Sequence, residues 1–115
     1  MKKDLVTRTK RFARQVIELY SRLPRETVAQ VVGKQALRAG TSVGANYREA
    51  NRARSKAEFV AKIGDCLKEA DETSYWLELL DEEQIVPPDE VSPPLSESGE
   101  LVAIFTTILK SARSR

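Results

Sequence analysis

The chain has no histidine, and its 115 residues include one cysteine, one tryptophan, five glycines and five prolines. Without imidazole there is no ready acid–base group near neutral pH, no histidine-containing triad and no ligand set for most transition-metal sites. The carboxylates Glu69 and Glu72 do not make up for this, because a di-iron site in a helical bundle needs Glu-x-x-His motifs. A glycine-rich phosphate loop and a recognisable nucleophile are also missing. Neither an enzyme nor a metal or cofactor site is expected. The single thiol, Cys66, rules out an internal disulfide and reads as a small buried residue. The longest uncharged apolar run near a terminus, residues 101–109, is far too short to span a membrane. Met1-Lys2-Lys3-Asp4 enters mixed charge directly, without the apolar core of a signal peptide, so a cytoplasmic location is expected. The length suits one domain with a modest core.

Helical periodicity is what the sequence does contain. Ser55 followed by Glu58 forms a capping box, in which the hydroxyl accepts the Glu58 amide and the carboxylate reaches back. From there a helix over 55–84 carries Phe59, Ile63, Cys66, Ala70, Thr73, Leu77 and Leu80 at alternating four- and three-residue spacings, a seam for lengthwise packing. An earlier helix over 4–22 has Leu5, Phe12, Val16, Leu19 and Leu23 in its stripe, with Thr9 filling the gap. Pro24 breaks it and suits the first turn of a second helix, 24–52. That helix is expected to bury Val28, Val32, Ala36, Ala39, Val43, Asn46 and Ala50.

Gly33, Gly40 and Gly44 lie inside the second helix, each costing about 1 kcal/mol relative to alanine. Close packing against Ala57, Ala61 and Gly64 of the third helix is the favoured explanation, with a kink near Gly40 as the alternative. The connection between the two helices is short, so they form an antiparallel hairpin. Four of the five prolines fall within residues 87–94. Residues 85–94 accordingly read as a proline-rich linker, and a fourth helix runs over 93–113. Its face of Leu101, Phe105, Ile108 and Ala112 is widened by Val102, Ile104 and Leu109. The fold class is all-α, an up-and-down antiparallel four-helix bundle.

The near-neutral net charge hides a strong polarity. Residues 1–62 hold fifteen Lys and Arg against five Asp and Glu, a net +10. Residues 63–100 hold one against twelve, a net −11, and the last fifteen residues carry +3. In an up-and-down bundle, Lys2, Lys3, Arg8, Arg48, Arg52, Arg54 and Lys56 gather at one end, where Lys110 and Arg113 join them. The acidic residues around Glu78–Glu83 and 89–100 gather at the other, with Arg22 and Arg25 as partial compensation. A basic pole attracts polyphosphate by steering and counterion release. Ordinary solvated faces would also account for the charges, and no interleaved aromatics accompany them.

Tyr75, Trp76 and Leu79 sit beside the third helix's seam rather than on it. With Ile104 on the wide face of the fourth helix they mark an expected subunit interface. The alternative is a tryptophan lying over the bundle's edge. Ser42, Asn46 and Glu49 share one side of the second helix with Arg38. They are read, with Glu69 and Glu72, as a structural polar layer, in which the two carboxylates pair with arginines of the second helix or of a neighbouring subunit. A patch orienting Arg38 or Arg48 toward a ligand is the other possibility.

The residues Arg38-Ala39, Ser42-Val43, Ala45-Asn46, Glu49, Ser55, Glu58-Phe59, Lys68-Glu69, Glu72 and Trp76-Leu77 resemble the four helix bundle proteins encoded by 23S ribosomal RNA intervening sequences. The resemblance covers residues 24–80, with the outer helices matching by pattern. It departs from the family at Ala50, where glycine is common, at Ala53, where arginine is common, and at Cys66, where serine is usual. The turn's positive charge is kept in shifted positions. Members are similar in fold to the accessory protein of diversity-generating retroelements, a basic pentameric barrel that binds nucleic acid and a reverse transcriptase. The resemblance therefore implies a ring-like homopentamer and RNA or DNA binding. The expected function is that of a non-enzymatic, homo-oligomeric protein binding structured RNA, such as ribosomal RNA, through its basic end. A scaffold that docks a partner protein is the alternative.

Overall fold

The structure, a computed structural model, describes the backbone of residues 2–114 and the side chains of residues 5–114. Four helices follow one another: α1 (Lys2–Ser21), α2 (Thr27–Asn51), α3 (Lys56–Glu82) and α4 (Pro88–Arg113). At 1.5 Å per residue, α2, α3 and α4 are each about 40 Å long, which matches a rod of 47 × 21 × 19 Å. Each helix packs on its chain neighbours, and α1 closes against α4 along the thinnest of the four seams. This is the expected up-and-down bundle. Its core runs through Phe12, Val16, Val43, Ile63, Leu77, Leu80, Leu101 and Phe105, all at most 1% exposed.

The seam expected for α3 is the one observed: Ile63, Cys66, Ala70, Thr73, Leu77 and Leu80 are all buried. Its start also follows the sequence. Ser55 Oγ accepts the Glu58 amide at 3.0 Å, while the Glu58 carboxylate accepts the Arg54 amide at 3.3 Å, one residue further back than in the standard box. The helix ends in a Schellman motif. Gln84 adopts a left-handed φ of 54°, its amide donates to Asp81, and the Ile85 amide donates to Leu80, each at 3.0 Å.

Three expectations change. First, α2 begins at Thr27 rather than Pro24. Leu23 turns into the core, and the chain needs residues 24–26 to reverse direction. That corner is tied by the Tyr20 hydroxyl to Gln30 Oε1 at 2.7 Å and by Gln30 Nε2 to the Pro24 carbonyl at 2.9 Å. Second, the buried face of α2 is rotated. Ala29, Gly33, Gly40 and Tyr47 are inside, whereas Val28 is 62% exposed and Asn46 half-buried. Third, there is no linker over 85–94. Val86 is buried, Pro88 occupies the first helical position, and Pro93 and Pro94 lie inside α4. These two prolines leave the Asp89 and Glu90 carbonyls without their usual amide donors. Burial of Val91, Pro94, Ser98, Leu101, Phe105 and Leu109 along one stripe offsets that loss.

The glycines explain the rotation of α2. They do allow close packing, but toward α1 and not α3. A Cβ at Gly33 would overlap Leu23, and one at Gly40 would lie 2.9 Å from Val16 Cγ2. Alanines make the adjoining part of the buried face, with Ala36, Ala39 and Ala50 at most 2% exposed, and α2 packs on α3 as well as on α1. Cys66 completes that contact with a long Sγ–H bond of 3.7 Å to the Val43 carbonyl. Burial pushes its thiol up to about 12, with Asp65 contributing in the same direction.

The glycines of α2 and α3 make opposite predictions. Gly40→Ala drives a methyl into the stiff, β-branched Val16 and is expected to destabilise the fold by about 1–2 kcal/mol. Gly64 faces open space, so Gly64→Ala is expected to stabilise by about 1 kcal/mol through helix propensity alone. Urea denaturation of the two variants measures both signs.

Candidate nucleic-acid interface

The antiparallel course of the helices brings the start of α1, the α2–α3 turn and the end of α4 to one pole. Contacts along the seams fix this arrangement. Gly44 lies against Thr9, and Phe59 shares a groove with Thr107, Ile108 and Ser111 of α4. Lys110 and Arg113 flank a second groove with Leu67. Arg48, Arg52, Arg54 and Lys56 are exposed at or beside the turn, with Arg48 in the last turn of α2. Among the described residues, Arg48, Arg52 and Arg54 have no ion-pair partner. The side chains of Lys2 and Lys3 lie outside the described residues.

Arg8 does not belong to this group. Its Nε donates to Glu97 Oε2 at 2.6 Å, and its Nη2 bonds Glu97 Oε1 at 3.0 Å and Glu100 Oε1 at 2.5 Å. The guanidinium is thereby neutralised across the α1–α4 seam. The Glu97 hydrogen bond, opposed in part by desolvation, holds it still more firmly protonated than a free arginine. Sequence placed Glu97 and Glu100 with the opposite pole. In the structure they stand far enough down α4 for Arg8 to reach them.

The polar residues of α2 behave as structural groups, with a change of detail. Arg38 bonds Glu69 at 3.4 Å and Glu72 more closely, so both carboxylates pair with an arginine of α2 as expected. Glu49 pairs with Lys62 at 2.5 Å, and both contacts stitch the α2–α3 seam. Ser42 and Asn46 turn back to their own helix instead, bonding the carbonyls of Arg38 at 2.7 Å and Ser42 at 3.0 Å. The Arg38 side chain is 49% exposed, so the network lies on the outside of the hairpin rather than in a buried layer.

Of the residues proposed for a subunit interface, Tyr75 is 54% exposed and meets Trp76 edge-to-face at 4.9 Å. Trp76 is half-buried and donates to Glu72 Oε2 at 3.2 Å, which ties it to the Arg38 network. Leu79 and Ile104 are half-buried as well. The sequence reading missed three exposed apolar side chains, Ile17, Val28 and Val31, between 48% and 62% exposed. The stripe through the α2 glycines, had it been followed instead of the valines, would have turned Val28 outward. It also missed Lys10, which lines the α1–α2 groove together with Arg48.

Among the described residues no cluster of three metal-ligating side chains occurs. Among the described residues, no helix is long and apolar enough to cross a membrane. The chemistry offered at the pole is thus exposed positive charge, with Arg48, Arg52 and Arg54 in no ion pair among the described residues.

Comparison with known proteins adds to this geometry. The sequence model of the family described as 23S rRNA-intervening sequence protein matches residues 1–107. A crystal structure from Bacteroides thetaiotaomicron, of a protein with unknown function from the S23 ribosomal protein family, is 39% identical. The match covers 96% of this chain and 99% of that one, with a TM-score of 0.87. Among curated proteins, none matches the chain.

The paired and unpaired arginines are expected to differ in stability. Arg8→Gln strands Glu97, whose side chain is 20% exposed, and is expected to cost about 1–2 kcal/mol. Arg52→Gln is expected to stay within about 0.5 kcal/mol of the parent. Thermal denaturation at fixed ionic strength compares them.

Proposed function

The chain belongs to the 23S rRNA-intervening sequence protein family, and on that premise we propose that it is a non-enzymatic protein that binds structured RNA, such as ribosomal RNA. The single observation that carries this reading is the pole of exposed arginines, Arg48, Arg52 and Arg54, left without ion-pair partners among the described residues. Lys110 and Arg113 extend it from α4. Of the cations on the helix seams, Arg8, Arg38 and Lys62 are paired with carboxylates. Unneutralised charge facing water is what a polyphosphate chain displaces its counterions to reach. The family's name supports ribosomal RNA as the ligand, and the cytoplasm as the place of action.

RNA binding is expected to weaken steeply with salt and to tolerate changes of sequence, because the pole offers charge without aromatic stacking or base-reading groups. The double variant Arg52→Glu/Arg54→Glu removes most of the affinity. Filter binding or fluorescence anisotropy at two salt concentrations tests this. Binding that ignores both salt and charge reversal would refute it.

The protein is further proposed to act as a homo-oligomer, a pentamer by family resemblance, with Tyr75, Trp76, Leu79 and Ile104 at the subunit contact. Tyr75 carries this part, as a large ring more than half exposed beside a half-buried tryptophan. Tyr75→Glu is expected to shift the mass measured by light scattering toward the monomer while the helical circular dichroism is kept. A second reading, docking of a partner protein, is favoured by the exposed carboxylates Glu78, Glu82, Glu83 and Asp89 at and around the α3–α4 connection.

A further inference from the structure

Between α1 and α2 runs a groove of about 400 Å³, lined by Lys10 from one helix and Arg48 from the other. Val6, Ala13, Gly44 and Ala45 line it between them, and no acidic residue contributes to its described lining. The groove exists because α2 carries small residues here. Gly44 approaches α1 so closely that a Cβ would stand 3.2 Å from Thr9 Oγ1, and the alanines on either side add little bulk. Val6 stays 38% exposed as a result.

The polar inventory of this groove is unusually one-sided. Thr9 Oγ1 donates to the Leu5 carbonyl at 2.7 Å, and Thr41 Oγ1 to the Leu37 carbonyl at 2.8 Å, so both hydroxyl protons are already used within their own helices. Lys10 and Arg48 have no ion-pair partner among the described residues. Arg14, one turn along α1 from Lys10, is exposed and equally unpaired. An occupant must therefore bring negative charge to the two sides and little hydrogen-bonding demand to the middle. Tyr47, the aromatic residue closest in sequence to Arg48, is 3% exposed with its ring tilted against Phe105, so it offers the groove no platform for a base.

We infer that this groove seats the sugar–phosphate backbone of an unpaired RNA segment, with Lys10 and Arg48 each contacting a phosphate and the ribose lying over Val6, Ala13 and Ala45. The inference rests on the RNA-binding function proposed above and adds the path of the strand: it runs along the flank of the rod from the basic pole. A cationic slot follows a single strand, whereas a duplex is a convex cylinder that rests on a surface instead of entering it.

The test uses the full-length protein and two fluorescein-labelled probes of equal length, a single-stranded RNA and a blunt RNA duplex. Lys10→Ala and Arg48→Ala are each expected to lower the slope of log affinity against log salt for the single strand by about 0.7, the value for one phosphate. Ala45→Trp fills the groove at an exposed position without changing charge, and is expected to weaken single-strand binding at least tenfold. Arg25→Ala, at the opposite pole, leaves binding unchanged. Circular dichroism confirms that each variant is folded. Single-strand binding that survives Ala45→Trp and Lys10→Ala but is lost in Arg52→Glu/Arg54→Glu overturns the groove and leaves the proposed function standing. A duplex that binds as tightly as the single strand and is equally sensitive to Ala45→Trp also overturns it. A parent protein that binds neither probe at low salt removes the proposed function and the groove together.

Discussion

Everything in this molecule depends on how closely α2 approaches two neighbours at once. Gly33, Gly40 and Gly44 turn toward α1, while Ala36, Ala39 and Ala50 are buried on the adjoining part of the same helix. Small side chains let the neighbouring side chains fill the space where α2's own would stand, and Val16 and Leu23 do so. Glycine in a helix costs about 1 kcal/mol against alanine. Here the cost is offset by dispersion contacts that a Cβ would prevent. Because α2 is held on both sides, the chain has one way to fold back, and the ends of all four helices are assigned to their poles.

Charge is distributed by the same constraint. Along the sequence, positive residues dominate the first half and negative ones the next third. The antiparallel course converts that gradient into a molecule with a basic pole and an acidic one, a field that extends beyond contact distance. Pairing then removes some cations from this field. Arg8 is taken up by Glu97 and Glu100, Arg38 by Glu69 and Glu72, and Lys62 by Glu49. These pairs stitch the α1–α4 and α2–α3 seams. Such partly exposed pairs each contribute modestly, and their main effect is on which positive side chains remain available.

Much of this was legible in the residues. The Ser55–Glu58 cap and the seam from Ile63 to Leu80 locate α3 because capping and heptad spacing are local signals. The pairing of Glu69 and Glu72 with an arginine of α2 followed from a short hairpin turn. The start of α4 was not legible. Proline is a strong local breaker, and four prolines in eight residues outweighed the spacing of Val91, Pro94, Ser98, Leu101, Phe105 and Leu109. That stripe wins in the folded protein because its burial is a tertiary gain, invisible to any rule of local propensity. Val28 failed for a related reason: valine is apolar enough for a core, but α2 faces its neighbours with glycine and alanine.

The sequence alone determined the helical class, the order and approximate extent of the helices, and the segregation of charge. Each of these comes from residues near one another in the chain, where hydrogen bonding, capping and periodicity act. Only the tertiary structure decided which cations stay unpaired, which face of α2 meets α1, and that Lys10 and Arg48 line one groove. Those outcomes depend on residues dozens of positions apart brought within a few ångströms. The register that brings them together is set by the packing of small side chains rather than by the charged groups themselves.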